Sequence, residues 1–352
     1  MVKKLNSYHV GHFCRAARAL QAVAVALLIF VSIAGLCSPA TAAAVIMYHR
    51  FGESAHPSTS IQLDQFEAHI RALRDGAYNV VPLDTIAAAF VRGKALPDFT
   101  VGISVDDAYL SAYSEAAPRL KAAGLPWTLF VATDPADRGL SGYMTWEQIR
   151  ELERSGVTIG SQTKSHPHMA DNSSDKNVAE LQHSNEQFIA QLGKKPSLFA
   201  YPYGEASLKV MEVVRSANFL VAFGQHSGAI GMSGERFYLP RFSMNEAYGN
   251  MKRFRLAINS LPMEVSSVTP PDPLLTVNPP PIGFTLQEPL INIEQLACYT
   301  PHGGSETVEE LGGVRVEVRL TTPFSRGRGR INCTAPAANG RFFWYGRQFY
   351  IR

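Results

Sequence analysis

No glycine-rich phosphate loop occurs in this sequence. Neither Gly-x-Gly-x-x-Gly after a strand-like run nor a Walker-type Gly-x-x-x-x-Gly-Lys-Ser/Thr is present, so the nucleotide-binding versions of an α/β fold lack support. Charge of one sign is also scarce. The formal net charge is +3, with no block of like charges, and nothing argues for a nucleic-acid partner. There is no internal repeat. Cysteine is rare, four in 352 residues. Cys14 and Cys37 fall in the N-terminal stretch, and Cys298 and Cys333 both lie near the C-terminus.

The N-terminus has the three parts of a secretory leader. Lys3, Lys4, Arg15 and Arg18 precede an apolar run from Leu20 to Leu36, followed by Pro39 and the small-x-small triplet Ala40-Thr41-Ala42. This predicts a signal peptide over residues 1–42 and a mature chain in the periplasm or outside the cell. The rival is an uncleaved anchor, because the run is near the lower limit for spanning a bilayer. In an exported chain Cys298 and Cys333 read as a disulfide, the alternative being two buried free thiols.

Beyond the leader, strand-like runs alternate with amphipathic helical patterns. Strands are predicted at Val45–His49, Tyr78–Leu83, Thr100–Val105, Trp127–Val131, Val157–Gly160, Ser197–Tyr201 and Phe219–Phe223. Helices are predicted between them, with Asp84 as one cap and Thr145-Trp146-Glu147-Gln148 as a capping box. Such alternation implies β-α-β units and a mainly parallel sheet, and with nucleotide motifs absent a barrel remains. In barrels, function gathers at the C-terminal ends of strands. The character changes after Pro262. Residues 266–283, with Thr269-Pro270-Pro271-Asp272-Pro273 and Asn278-Pro279-Pro280-Pro281, read as a stiff linker. Residues 284–352 read as a small β-rich unit, from the alternation of Val314 to Leu320 and the aromatic run Arg341 to Tyr350.

Four strand ends carry polar or aromatic clusters: His49, Asp106-Asp107, Gln162 to His168, and Tyr201-Pro202-Tyr203-Gly204. Adjacent carboxylates are costly unless a cation opposes them, because like charges raise one pKa. One Asp then suits a metal and its neighbour a proton; the plainer reading is a turn after a strand. His166 suits a transition metal, whereas Gln162, four residues earlier, offers only a neutral amide oxygen.

Taken together these runs resemble the polysaccharide deacetylase family of metal-dependent carbohydrate esterases, which includes nodulation-type chitooligosaccharide deacetylases. The resemblance rests on Ser104-Val105-Asp106-Asp107-Ala108, Gln162-Thr163-Lys164-Ser165-His166 and Ala200-Tyr201-Pro202-Tyr203-Gly204, with Tyr48-His49 and Leu239-Pro240-Arg241-Phe242 as lesser matches. It spans Val45 to Pro262 and implies a distorted β/α barrel of seven or eight strands in residues 43–265. It also implies Asp106 as general base, Asp107 and His166 as ligands of a divalent metal (zinc by preference) with Gln162 at a further, weaker ligand position, and the Tyr203 backbone N–H in an oxyanion site. Tyr201, Pro202, Tyr203, Gly204 and Arg241 would face an N-acetylated glycan, and an association with the cell envelope would follow. The chain departs from the family pattern at Gln162, where a metal His is usual, at Ala108 in place of Gly, and at Ala200 in place of Arg. No terminal Leu-x-Leu-His is evident. His168 or His49 is then expected to complete the metal site, His226 to act as acid, and Arg241 to hold Asp106 ionised. Two alternatives stay open: a glycan-binding pseudoenzyme of the same fold, favoured by Gln162, and an envelope protein that docks through its aromatic tail.

Overall fold

Six consecutive residues, Thr100–Val105, are completely buried, and the fold is built around them. A strand covered on both faces reads as a continuous apolar run rather than an alternation. The structure, a computed structural model, describes residues 42–352. The expected leader therefore lies outside the described residues, apart from Ala42. No helix among the described residues is long and apolar enough to cross a membrane.

In chain order the first ten strands are β1 (Ala43–Tyr48), β2 (Arg50–Phe51), β3 (Ser60–Ile61), β4 (Asn79–Val80), β5 (Thr100–Val105), β6 (Thr128–Val131), β7 (Thr158–Ser161), β8 (Leu198–Ala200), β9 (Val221–Phe223) and β10 (Phe242–Ser243). Eight of them form one parallel sheet ordered β10-β1-β5-β6-β7-β8-β9, with β4 also on β5. The small pair β2–β3 lies apart. The ends of the large sheet approach each other through a parallel bridge from Phe223 to Leu239 rather than a full strand pairing, which makes the barrel a distorted one. Successive side chains of a strand point to opposite faces. Accordingly Ala44, Ile46 and Tyr48 of β1 join one apolar cluster with Val101, Ile103 and Val105. Ala43 and Val45 join another with Phe130 and Phe223. Ser104 and Asp106 continue the second, inner alternation.

Helices cover the outside at Leu63–Asp75, Leu83–Val91, Trp146–Arg154, Ser174–Leu192, Leu208–Ser216 and Met251–Ile258. The Thr145–Gln148 capping box is present. Asp84 is not a cap: Pro82 occupies that position and Asp84 falls in the first turn, where a carboxylate still complements the helix dipole. The helix between β5 and β6 opens with a π turn over Ala112–Ala116 before Ala117–Ala122. Pro118 has no N–H to give the preceding turn, which suits that widening.

The remaining strands are β11 (Leu261–Pro262), β12 (Val265–Thr269), β13 (Ile282–Leu286), β14 (Ala297–Tyr299), β15 (Thr307–Leu311), β16 (Arg315–Arg319), β17 (Gly327–Pro336) and β18 (Phe342–Ile351). They form two four-stranded sheets, β11-β18-β17-β14 and β12-β13-β16-β15. Both sheets contribute side chains to a single apolar cluster that includes Phe284, Val316, Ile331 and Phe349. Cys298 and Cys333 sit opposite each other on β14 and β17 and form a disulfide across 35 residues. The proline-rich stretch begins inside a sheet, since its first residues belong to β12, paired with β13. The described residues make one compact unit. At the junction of barrel and sandwich, a Cβ on Gly346 would run into the Ser227 carbonyl oxygen, so only glycine fits there.

Candidate active site

Asp106 ends the inner face of β5. Its backbone N–H donates to the Tyr48 carbonyl at 2.9 Å, which extends the β1–β5 pairing by one residue. Its carboxylate takes both ends of the Arg241 guanidinium, with Nη1–Oδ1 at 2.7 Å and Nη2–Oδ2 at 2.8 Å. Both side chains have 0% exposure. Arg241 also donates to the Ser104 hydroxyl at 3.2 Å and to the Gly224 carbonyl at 2.9 Å, and its guanidinium lies 5.2 Å from the Phe130 ring. A buried arginine tolerates this setting because nearly every donor has an acceptor in place.

Asp107 points the other way, into a cavity of about 880 Å³. His49, Tyr109, Tyr143, His166, Tyr203 and Gln225 also line this cavity. Asp107 Oδ1 lies 3.2 Å from His166 Nε2. Both atoms are buried and neither has a hydrogen-bond partner of acceptable geometry. Burial pushes the Asp107 carboxyl up, but the neighbouring His166 imidazole and the charge at His49 outweigh it and hold it at about 2. The backbone is unusual here. Asp107, Ala108, Thr163, His166 and Tyr203 all have positive φ, between 52° and 74°. For residues other than glycine such angles cost on the order of 1–2 kcal/mol each and cluster at functional sites. Ala108, at φ 52°, shows why a glycine suits that position.

Gln162 is fully buried, and its Oε1 accepts the Asp107 N–H at 3.1 Å. The one lone-pair-bearing atom of its side chain is thus used to hold Asp107, and its Nε2 has no partner. The loop that follows is pinned from two sides: Glu180 accepts from the Ser165 N–H and hydroxyl at 2.8 Å each, and Thr163 Oγ1 accepts the His166 N–H at 3.1 Å.

Residues 93–222 match the family model described as polysaccharide deacetylase. Over this region the chain is similar to the polysaccharide deacetylases. A putative polysaccharide deacetylase, YxkH, of Bacillus subtilis is 23% identical over 197 residues, 56% of this chain and 69% of that one. A poly-beta-1,6-N-acetyl-D-glucosamine N-deacetylase of Staphylococcus aureus is 23% identical over 204 residues, 53% of this chain and 68% of that one. Among solved structures, the deacetylase PplD of Streptococcus pyogenes in complex with acetate superposes with a TM-score of 0.58 at 19% identity. It covers 62% of this chain and 99% of that chain. IcaB from Ammonifex degensii gives 0.54 at 24% identity, covering 59% and 94%. These likenesses place the fold with the polysaccharide deacetylases.

Within that fold, the residues singled out from the sequence divide into two groups. Asp107, His166, His49 and Tyr203 meet in the cavity. Asp106 and Arg241 meet behind it. Tyr201 does not face the cavity: it is fully buried, with its hydroxyl on the Phe237 carbonyl at 2.8 Å. Pro202 and Gly204 are buried supports of the Tyr203 turn. Gly204 has φ 67°, and a Cβ there would lie 2.5 Å from the Gln225 nitrogen. His168 turns to Glu205, Nδ1–Oε2 2.7 Å, and stacks on Tyr203 at 4.3 Å. His226 lines a separate cavity of about 350 Å³. Burial and the cations Arg347, Arg330 and Arg241 push its pKa down to about 3, which leaves it neutral near pH 7 and unsuited to donate a proton.

Sequence reading missed the share of the sandwich. Arg328 and Arg330 of β17 line the same cavity as Asp107. Gln348 of β18, 1% exposed, donates to the Tyr203 carbonyl at 3.0 Å and accepts from Arg330 Nε at 2.9 Å. The signal was available: in Gly327-Arg328-Gly329-Arg330 the two arginines share one strand face, and Gly329, Ile331, Cys333 and Ala335 bury the other. Among the described residues, the group of three acidic, His or Cys ligand atoms within 4.8 Å is Asp134, Asp137 and His183, which does not include Asp107 or His166.

Proposed function

We propose that the chain is a metal-dependent deacetylase that hydrolyses N-acetyl groups of an extracytoplasmic glycan. The observation that carries this reading is the pair Asp107 Oδ1 and His166 Nε2, two buried atoms without hydrogen-bond partners, 3.2 Å apart on the wall of a large cavity. A carboxylate held ionised beside an imidazole is a donor set that fits a divalent ion, zinc by preference. Asp107 and His166 would hold it, with His49 of the same cavity as the third donor rather than Gln162 or His168. Bound there, the ion would polarise the acetamide carbonyl and lower the pKa of a water molecule.

The chain's own residues supply the rest. Asp106 accepts the proton of the attacking water, and Arg241 holds that carboxylate in place through one hydrogen bond to each oxygen. The turn at Tyr203 presents backbone N–H toward the oxyanion. Gln162 fixes the Asp107 main chain. Tyr109, Tyr143 and Tyr203 offer apolar faces and hydroxyls to sugar rings. The substrate class is an N-acetylglucosamine polymer, chitooligosaccharide or β-1,6-linked, in keeping with what the Staphylococcus aureus relative is named for. The leader-like N-terminus and the disulfide support the periplasm or the exterior, near the cell envelope.

One second reading has an observation behind it. Asp106 is closed from solvent at 0% exposure, and Gln162, where the family resemblance implies a metal-ligating imidazole, has its amide oxygen on the Asp107 N–H. Both suit a glycan-binding protein that has kept the fold without the turnover. Acetate release from N-acetylated glycans, measured with metal content on wild type and Asp106→Asn, separates the two. The deacetylase reading expects release by wild type and loss of turnover with metal retained in the variant. Glycan binding with no release under any metal supplement would replace it with the second reading.

A further inference from the structure

From the cavity wall contributed by the sandwich, we infer that Arg330, with Arg328 beside it, forms a subsite for a carboxylate on the glycan. The inference rests on the reading of this cavity as a glycan site and narrows its substrate class to acidic N-acetylated glycans.

Arg330 is held but not paired. Its Nε donates to Gln348 Oε1 at 2.9 Å, which orients the guanidinium plane. Among the described residues no hydrogen bond or ion pair reaches its two terminal nitrogens. The charged or ionisable groups that bear on it are Arg328, Tyr238 and Tyr248, none of them a carboxylate. Among the described residues Arg328 has one distant ionic partner, Glu205 at 3.9 Å, and its guanidinium stands 5.8 Å from the Tyr203 ring. Two like charges therefore sit together on one face of β17, one of them half-buried, at the rim of a cavity. A charge withdrawn from water without a partner is costly. A planar guanidinium with both terminal nitrogens open matches a carboxylate in two parallel hydrogen bonds. Gln348 also holds the Tyr203 carbonyl at 3.0 Å, so an anion seated on Arg330 lies one side chain away from the catalytic turn. A sugar whose neighbour bears a carboxylate would place its acetamide near Asp107 while the acidic group rests on β17.

Calorimetric titration of the full chain tests this with matched probes. The first pair is a tetrasaccharide of alternating N-acetylglucosamine and N-acetylmuramic acid with free carboxylates, and the same compound with carboxamides. The second is a hyaluronan tetrasaccharide, whose carboxylate is a uronate, and its carboxamide. Chitotetraose serves as the neutral reference. In at least one pair the carboxylate form is expected to bind on the order of tenfold tighter than its amide, as for a charge-assisted bidentate contact. That preference is expected to shrink at high salt and to vanish in Arg330→Gln. Arg328→Gln, at a more exposed position, is expected to reduce the same preference and keeps the test intact if Arg330→Gln fails to fold. Equal binding of acid and amide in both pairs, or a preference that survives both variants, overturns the inference. If chitotetraose binds while no acid is preferred, the deacetylase reading stands and this inference falls. If none of the probes binds, both fall.

Discussion

Asp106 and Arg241 are 135 residues apart in sequence and form a fully buried bidentate ion pair inside the barrel. Arg241 enters the barrel from the turn before β10 and gives each Asp106 oxygen one hydrogen bond. Removing one partner leaves an uncompensated buried charge. Arg241→Met is therefore expected to lower stability by about 3–5 kcal/mol. The double variant Asp106→Asn/Arg241→Met is expected to lose less than the sum of the single losses. Chemical denaturation of the four proteins in the cycle checks this, and simple additivity would show that the pair is not coupled.

Gln162 supports Asp107 through one hydrogen bond. Gln162→Leu strips the Asp107 N–H of its acceptor, and a loss of about 1–3 kcal/mol is expected for a buried donor left unsatisfied. Gln162→His would put an imidazole nitrogen beside Asp107 as an added donor and is expected to retain more zinc than wild type after dialysis against a weak chelator. Elemental analysis of the dialysed proteins reads this directly. Equal retention would mean that position 162 does not reach the ion.

Two buried histidines predict an acid limit. His226 is held at about 3 and His69 at about 4, burial being the leading cause for each. The unfolded chain binds protons at these sites from about pH 6.5 downward, whereas the folded chain does not until pH falls to the depressed values. Stability is therefore complete above pH 6.5 and is lost as pH falls through the window toward 3–4. The expected slope is up to about 1.4 kcal/mol per pH unit for each group. Denaturation midpoints from pH 7 to pH 4 measure it, and His226→Gln is expected to flatten the curve.

The disulfide closes a loop of 35 residues between adjacent strands. Cys298→Ala/Cys333→Ala is expected to lose roughly 3–4 kcal/mol in the chain-entropy treatment. Because β17 carries Arg328 and Arg330 to the cavity, limited proteolysis of the double variant is expected to cut first within residues 284–352. Unchanged stability under reducing conditions would show that the two cysteines contribute little beyond their packing.

Gly346 sets how closely the sandwich approaches the barrel. Gly346→Ala puts a methyl group into the Ser227 carbonyl and is expected to cost about 1–3 kcal/mol as overpacking. Since Gln348 lies two residues on and holds the Tyr203 turn, glycan binding is expected to weaken in the same variant. Preserved stability and binding would show that the junction relaxes freely.

Periodicity and local chemistry were legible in the sequence by itself. The apolar run at Thr100–Val105, the alternation of strands and helices, the capping box at Thr145 and the order of the three motifs depend on contacts within a few residues, and they led to the parallel barrel and to Asp107 and His166. Only the tertiary structure decided the rest. Arg241 meets Asp106 because closure of the sheet brings the turn before β10 over β5. Gln162 serves the Asp107 main chain because two strand ends converge. His168 and His226 turn away because Glu205 in one case and a second cavity in the other receive them. The sandwich reaches the cavity through Arg328, Arg330 and Gln348 although a proline-rich stretch precedes it. These relationships join residues tens to hundreds of positions apart, and the burial and geometry that fix them arise only when the two apolar cores close.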